Sequence, residues 1–177
     1  MPAERERDGK NWKIFELNTV FPIIQRGKRL KTADHTEGDV PYVSSSAVNN
    51  GVDNFISNRI GVRVYDDCIT IANSGSVGQA FYHPYRFVAS DHVTELKNEK
   101  LNGAIYLFML PIISRLSEKY NFNHEINDAR MRREKIILPA DNSGSPDWSY
   151  MEQQGKILQA QQVCAYLDYL ENRVRGK

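Results

Sequence analysis

Asp67-Cys68-Ile69-Thr70-Ile71-Ala72-Asn73-Ser74-Gly75-Ser76-Val77-Gly78-Gln79-Ala80-Phe81 is the stretch that sets the fold class. Cys68 to Ala72 is a short β-branched apolar run, the pattern of a buried strand. Asn73 to Gly78 is dense in Asn, Ser and Gly and reads as a tight loop. Ala80 to His83 resumes as strand. The flanks repeat this rhythm. Gly61 to Tyr65 alternates, and Asp66-Asp67 is a turn. Arg86 to Ala89 and His92 to Leu96 are further strand candidates. Farther out, Trp12 to Leu17 alternates and can open a strand. Val40-Pro41-Tyr42-Val43 is a short strand in which Pro41 suggests an edge or a strand start. Asn50-Gly51 is a strong turn signal. Lys135 to Pro139 looks like a closing strand.

The period changes at Asn102. From there to Tyr120, Ile105, Leu107, Phe108, Leu110, Ile112, Ile113 and Leu116 suit a helix, with a kink or break at Pro111. Glu125 to Arg133 is short and mixed. Residues 12–140 are expected to form one domain, 141–149 a linker, and 150–177 a C-terminal helix. In that helix Ala160, Val163, Leu167, Leu170 and Val174 form a stripe at three-four spacing. The stripe can dock on the domain or pair with a helix of another chain, and both readings stay open. Residues 1–11 form a polar lead-in.

The composition supports a folded domain: 41% of the 177 residues are hydrophobic and 25% are charged. The net charge is only +1, so any nucleic-acid surface must arise from local clustering. Cys68 and Cys164 are read as two buried, reduced thiols. The charged N-terminus carries no secretory signal, and no apolar run approaches the ~20 residues needed to cross a bilayer. A cytoplasmic location without membrane contact is expected.

Catalytic signatures are sparse. Methyl transfer to a base needs a Gly-rich cofactor loop and an Asn/Asp-Pro-Pro-aromatic motif, and neither is present. Glu95-Leu96-Lys97, with Asp67 or Asp91 upstream, imitates the acidic-x-Lys signature of metal-dependent nucleases. A Glu-x-Lys on an exposed strand end is also very common. The four histidines His35, His83, His92 and His124 lack metal spacing, so no metal site is expected. Asp91-His92 suggests a charge-relay pair, but no activated Ser matches it by spacing. Ser74-Gly75-Ser76-Val77-Gly78 lacks the Gly-Lys-Ser/Thr ending of a phosphate loop, although its backbone amides suit a DNA phosphate.

The positive signals are cationic and amide-rich. Arg26, Lys28, Arg29 and Lys31 crowd around Gly27. Arg130, Arg132, Arg133 and Lys135 form a second cluster. Either alone is most often a solvated face, but two clusters in a near-neutral chain favour phosphate binding through counterion release. Between them lie Ser44, Ser45, Ser46, Asn49, Asn50, Asn73, Ser74 and Ser76. Asn matches adenine and Arg matches guanine in the major groove. As turn formers these residues also have a purely structural reading, which prevails for Asn50 before Gly51.

Four stretches, in order, resemble the target-recognition domains of restriction–modification specificity subunits of Type I, and still more those of Type IIB and fused systems. They are Trp12 to Lys28; Val40 to Ser46 with Asn49-Asn50-Gly51; Asp67 to Phe81 ending in Phe87 to Val93; and Arg130 to Pro139 followed by Pro146-Asp147-Trp148 and Tyr150-Met151-Glu152. The resemblance implies a mixed α+β domain with curved, mostly antiparallel sheets and one long helix after it. It implies double-stranded DNA as ligand and no catalysis in this chain. No cofactor is expected on the chain itself, and S-adenosylmethionine would sit on a partner DNA methyltransferase, with nuclease subunits as further partners. A full subunit has two such domains, so this chain looks like half of one. A homodimer with antiparallel helices, using Val163, Leu167, Leu170 and Val174, would rebuild the pair. Pro146-Asp147-Trp148 departs from the Pro-Pro-Leu-x-Glu-Gln-like helix start of Type I members, which leaves the system type open.

Overall fold

The structure, a computed structural model, describes residues 9–120 and 125–175. Residues 1–8 of the polar lead-in, His124 and the last two residues of the expected C-terminal helix lie outside the described residues. β1 (Asn11–Glu16) leads into a one-turn helix α1 (Leu17–Val20) and then β2 (Ile23–Arg26). β3 (Glu37–Val43), β4 (Val52–Ile56), β5 (Val64–Tyr65), β6 (Cys68–Ala72), β7 (Ala80–His83), β8 (Phe87–Ala89) and β9 (Val93–Lys97) follow. Next come α2 (Gly103–Ser114), α3 (Asp128–Arg133), β10 (Lys135–Ala140) and α4 (Trp148–Arg175).

The strands make three sheets. The order β2-β9-β6-β7 is antiparallel throughout. The order β4-β3-β8-β5 is antiparallel except where β3 and β8 run parallel. β1 and β10 form an antiparallel ribbon. The result is the mixed α+β architecture that the resemblance implies.

β6 explains why the middle of the chain is so apolar. Its five residues are all buried. Ile69 and Ile71 face the main core with Ile105, Tyr106, Met109 and Ile113 of α2. Cys68 faces a second core with Val43, Tyr65, Phe87, Ala89 and Val93, which joins the two four-stranded sheets. A strand covered on both faces has no reason to alternate.

Several local expectations are corrected. α2 runs through Pro111 to Ser114 and tightens into a 3-10 turn at Arg115–Glu118. Pro111 costs it one hydrogen bond, while Asn102 caps its start by accepting from Ile105 N at 3.2 Å. β3 is not an edge strand of its sheet, but its pairing with β8 begins only at Tyr42, one residue after Pro41. Pro41 thus keeps an edge-like position within an inner strand. Of Gly61 to Tyr65, only Val64 and Tyr65 are strand. Cys68 is buried, but Cys164 is exposed on α4.

α4 begins at Trp148 because Asp147 caps it, accepting from Tyr150 N at 3.0 Å. The same carboxylate accepts from Lys10 Nζ at 2.5 Å, which holds it below the usual carboxylate range. Met151 is fully buried in the main core. At Gly155 a Cβ would come within 1.9 Å of Ala104 O, so the missing side chain lets α4 touch α2. From Lys156 onward α4 is exposed up to Val174, apart from a half-buried Leu170. Among the described residues no helix is long and apolar enough to cross a membrane.

Candidate nucleic-acid interface

Segments far apart in sequence meet where the two four-stranded sheets join. Gly27 N donates to Val93 O at 2.8 Å, and Lys28 N to Ala89 O at 3.2 Å. Ser90 N donates to Val43 O at 2.9 Å. Asn73 N donates to His92 O at 2.9 Å, and Ser76 N to Ser45 O at 3.1 Å. These bonds tie residues 27–28, 43–45, 73–76 and 89–93 into one unit. Gly27 is needed for it: a Cβ there would lie 2.1 Å from Ser90 O and 2.5 Å from Ala89 O.

The cations on this unit differ in their surroundings. Lys28, Arg29 and Lys31 are exposed, and among the described residues their side chains hold no hydrogen bond or ion pair. Arg26 is half-buried. Its Nε lies 3.2 Å from Asp128 Oδ1, out of line for a hydrogen bond. Its carbonyl accepts from Arg63 Nη1 at 2.6 Å and from Tyr65 O–H at 2.9 Å, an anchorage that no sequence spacing signals.

The second cluster lies on α3, which Asn127 caps by accepting from Arg130 N at 2.9 Å. Arg130 Nη1 donates to Glu125 O at 2.9 Å, Arg132 Nη2 to Ile24 O at 2.8 Å, and Arg133 Nε to Ala129 O at 3.2 Å. Arg132 and the Arg26–Asp128 pair bind α3 to β2. The two cationic clusters are therefore neighbours in space.

The polar loop residues fall into two groups. Ser44, Ser45, Ser46 and Ser76 are half-buried, and Asn49 is exposed. Ser46 Oγ accepts from Val48 N at 3.3 Å. Asn49 and Asn50 both take left-handed backbone angles, with φ of 51° and 54°, which Asn tolerates better than most residues. Asn73 belongs to the other group. It is 2% exposed, its Nδ2 donates to Asp91 O at 3.2 Å, and its Oδ1 accepts from Thr94 Oγ1 at 2.9 Å. Both ends of that amide are engaged inside the fold. Ser74 is also buried, and its Oγ hydrogen-bonds with His92 Nδ1.

The structure thus brings a Ser to the Asp91-His92 pair, which spacing alone does not. Asp91 Oδ1 stays 4.0 Å from His92 Nε2, outside hydrogen-bond reach, and the Ser74 hydroxyl is covered. The three groups lack the arrangement of an activated nucleophile.

The Glu95–Lys97 reading is corrected as well. β9 is an inner strand, and Glu95 is 6% exposed rather than on an open strand end. Burial pushes its carboxyl up to about 7, against the opposing pull of Lys97. Lys97 Nζ turns to Asp66, donating to its carbonyl at 2.9 Å and to its carboxylate. A carboxyl that stays protonated to near-neutral pH is a poor collector of divalent cations. Behind it, Thr70 Oγ1 lies 2.9 Å from His83 Nε2, and burial lowers His83 to about 4. These groups form a buried polar seam between the sheets.

On α4, Val163, Leu167 and Val174 are 58%, 52% and 76% exposed, and Leu170 is half-buried. Tyr166 and Tyr169 stack beside them with ring centroids 6.4 Å apart. Contact with the domain is made instead by the first two turns, through Met151 and Gly155.

A family model described as the Type I restriction modification DNA specificity domain matches residues 9–163. The specificity subunit S.BcgI of a Type II restriction enzyme from Heyndrickxia coagulans is 32% identical over 169 residues, which is 94% of this chain and 46% of that protein. The chain spans about half the length of that curated relative. The S subunit of a Type I restriction-modification system from M. genitalium superposes with a TM-score of 0.62 at 19% identity, covering 91% of this chain and 42% of that one. The HsdS subunit from Thermoanaerobacter tengcongensis gives 0.62 at 16% identity, over 93% of this chain and 41% of that one. These likenesses establish the fold. With the family model spanning most of its length, the chain belongs to the Type I restriction modification DNA specificity domain family.

Proposed function

We propose that this chain recognises a double-stranded DNA sequence as half of a specificity subunit in a restriction–modification system. The observation that carries the reading is the hydrogen-bonded junction of residues 27–28, 43–45, 73–76 and 89–93, in a member of a DNA specificity family. Lys28, Arg29 and Lys31 hold phosphates, supported by Arg26 and by Arg130, Arg132 and Arg133. Ser44, Ser45, Ser46, Asn49 and Ser76 approach the base edges. Asn73 and Ser74, whose polar atoms are engaged within the fold, serve as framework.

The chain itself performs no chemistry. A partner DNA methyltransferase supplies S-adenosylmethionine, and nuclease subunits supply cleavage. Two copies join through the exposed part of α4, about 30 Å long, with Val163, Leu167, Leu170 and Val174 at the seam and the helices antiparallel. Such a dimer carries two recognition domains and reads a palindromic split site. The complex works in the cytoplasm.

The test is a methylation map. The chain is co-expressed with the DNA methyltransferase encoded beside its gene, and adenine methylation is read across the host genome. A motif that depends on this chain is expected, and a palindromic split motif supports the dimer. No motif, despite a folded and partner-bound chain, would sink the reading. A non-palindromic motif would remove the dimer alone.

A further inference from the structure

We infer that Asp91 and His92 form a base-reading pair for adenine, with Asn73 and Ser74 as the positioning residues behind it. The inference rests on the DNA-recognition reading above. The turn from Ser90 to Val93 is tightly held. Val93 N donates to Ser90 O at 3.1 Å, and His92 N to Ser90 Oγ at 3.3 Å. The carbonyls of Asp91 and His92 both accept from the buried Asn73, the first from its side chain and the second from its backbone. Thr94 Oγ1 locks that side chain from the far end. The turn therefore has little freedom of its own.

Its side chains nonetheless reach out. The His92 side chain is 57% exposed and that of Asp91 33%. Ser74 holds the ring at Nδ1, which leaves Nε2 as the outward nitrogen. The Asp91 carboxylate, 4.0 Å from Nε2, favours the proton on that nitrogen. The Ser74 hydroxyl then donates to Nδ1. The turn thus presents one fixed N–H donor beside one carboxylate acceptor.

That pairing selects its ligand. A phosphate offers acceptors only, and the Asp91 carboxylate repels it. Guanine offers two acceptors in the major groove, whereas adenine offers the N7 acceptor beside the N6 amino donor. His92 Nε2–H suits N7, and Asp91 suits N6–H2. The turn is also placed for the task. Ala89, at its base, accepts from Lys28 N, and Asn73 and Ser74 lead directly to the Ser76–Ser45 contact.

The experiment is selection from a randomised duplex library by the full chain bound to its methyltransferase. His92→Ala and Asp91→Ala are each expected to relax the preference for adenine at one and the same position by about tenfold or more. The salt dependence of binding should stay unchanged, because no phosphate contact is lost. Ser74→Ala should weaken the same preference less, and adding it to His92→Ala should change nothing further, as expected of a residue that acts through the ring. Melting temperatures of all variants are measured alongside. A lower melting temperature with an unchanged motif would assign the turn to the framework alone and overturn the inference. So would a uniform loss on all sequences with a shallower salt slope, the mark of a phosphate contact. If the wild-type complex selects a motif and the variants select the same one, only this inference fails. If the wild type selects none, the recognition reading fails and takes the pair with it.

Discussion

The two cationic clusters are alike in composition and differ in employment. Lys28, Arg29 and Lys31 stand on a loop after β2 and extend into solvent. Arg130, Arg132 and Arg133 stand on α3, and each holds a backbone carbonyl. Side-chain type does not draw this division, since Arg29 carries the same guanidinium as the three arginines of α3 and yet faces solvent. Cations that build the protein and cations available to a ligand therefore look the same in a sequence. Only their partners separate them.

Several measurements can break that distinction or sharpen it. Gly27→Val should have the largest effect, because its side chain must displace the backbone at Ala89 and Ser90. A loss of more than about 2 kcal/mol is expected in chemical unfolding. An unchanged stability would mean that the first cluster is not braced on β8. Lys28→Ala should leave stability nearly unaltered but weaken binding to every duplex and lower the salt slope by about one. Arg132→Ala should do the reverse. It breaks the bond from α3 to Ile24 O and should cost about 1 kcal/mol of stability, with a smaller change in slope than Lys28→Ala. Equal slopes for the two variants would erase the difference between the clusters.

A last effect concerns pH. Burial raises the folded-state Glu95 carboxyl from 4.5 to about 7, so the folded protein holds this proton more tightly than the unfolded chain. Its contribution to stability is fully present below pH 4.5 and is lost as pH rises through about 7. Buried His83, lowered from 6.5 to about 4, acts in the opposite sense over the lower part of this range. The Glu95 decline is therefore read as the difference in unfolding midpoint between the wild type and Glu95→Gln, measured from about pH 4 to about pH 8. A difference that does not change with pH would place the titration elsewhere.

The elements were legible to the extent that their patterns are local. β6 announces itself as an apolar β-branched run, α2 by its helical spacing, and the loop after β6 by its Asn, Ser and Gly. α1 was hidden because four residues are too few to show a period. The helical spacing runs past Pro111, but whether that residue interrupts α2 is not legible locally, because packing against the main core holds the last turn in place. Within the site, Lys28 and Ser45 stand out by residue type and lie in the junction loops, while Asn49, chosen by the same rule, lies in the turn just before β4. Asn73 was picked out by the same rule, yet its amide is engaged by Asp91 and Thr94. The Asp91-His92 pair is visible in the sequence, but its Ser74 partner left no local trace, because Ser74 arrives from another strand-loop junction.

By itself the sequence determined the alternation of strand, loop and helix, the two cationic clusters, and the order of segments that marks the family. These rest on side-chain periodicity, turn chemistry and residue order, which need no distant partner. The tertiary structure decided which strands pair and which polar groups are consumed in joining the sheets. It also decided which cations still face solvent and which nitrogen of His92 is held by Ser74. Those outcomes depend on contacts between segments far apart in the chain, and a hydrogen bond already made within the fold is one that a ligand can no longer use.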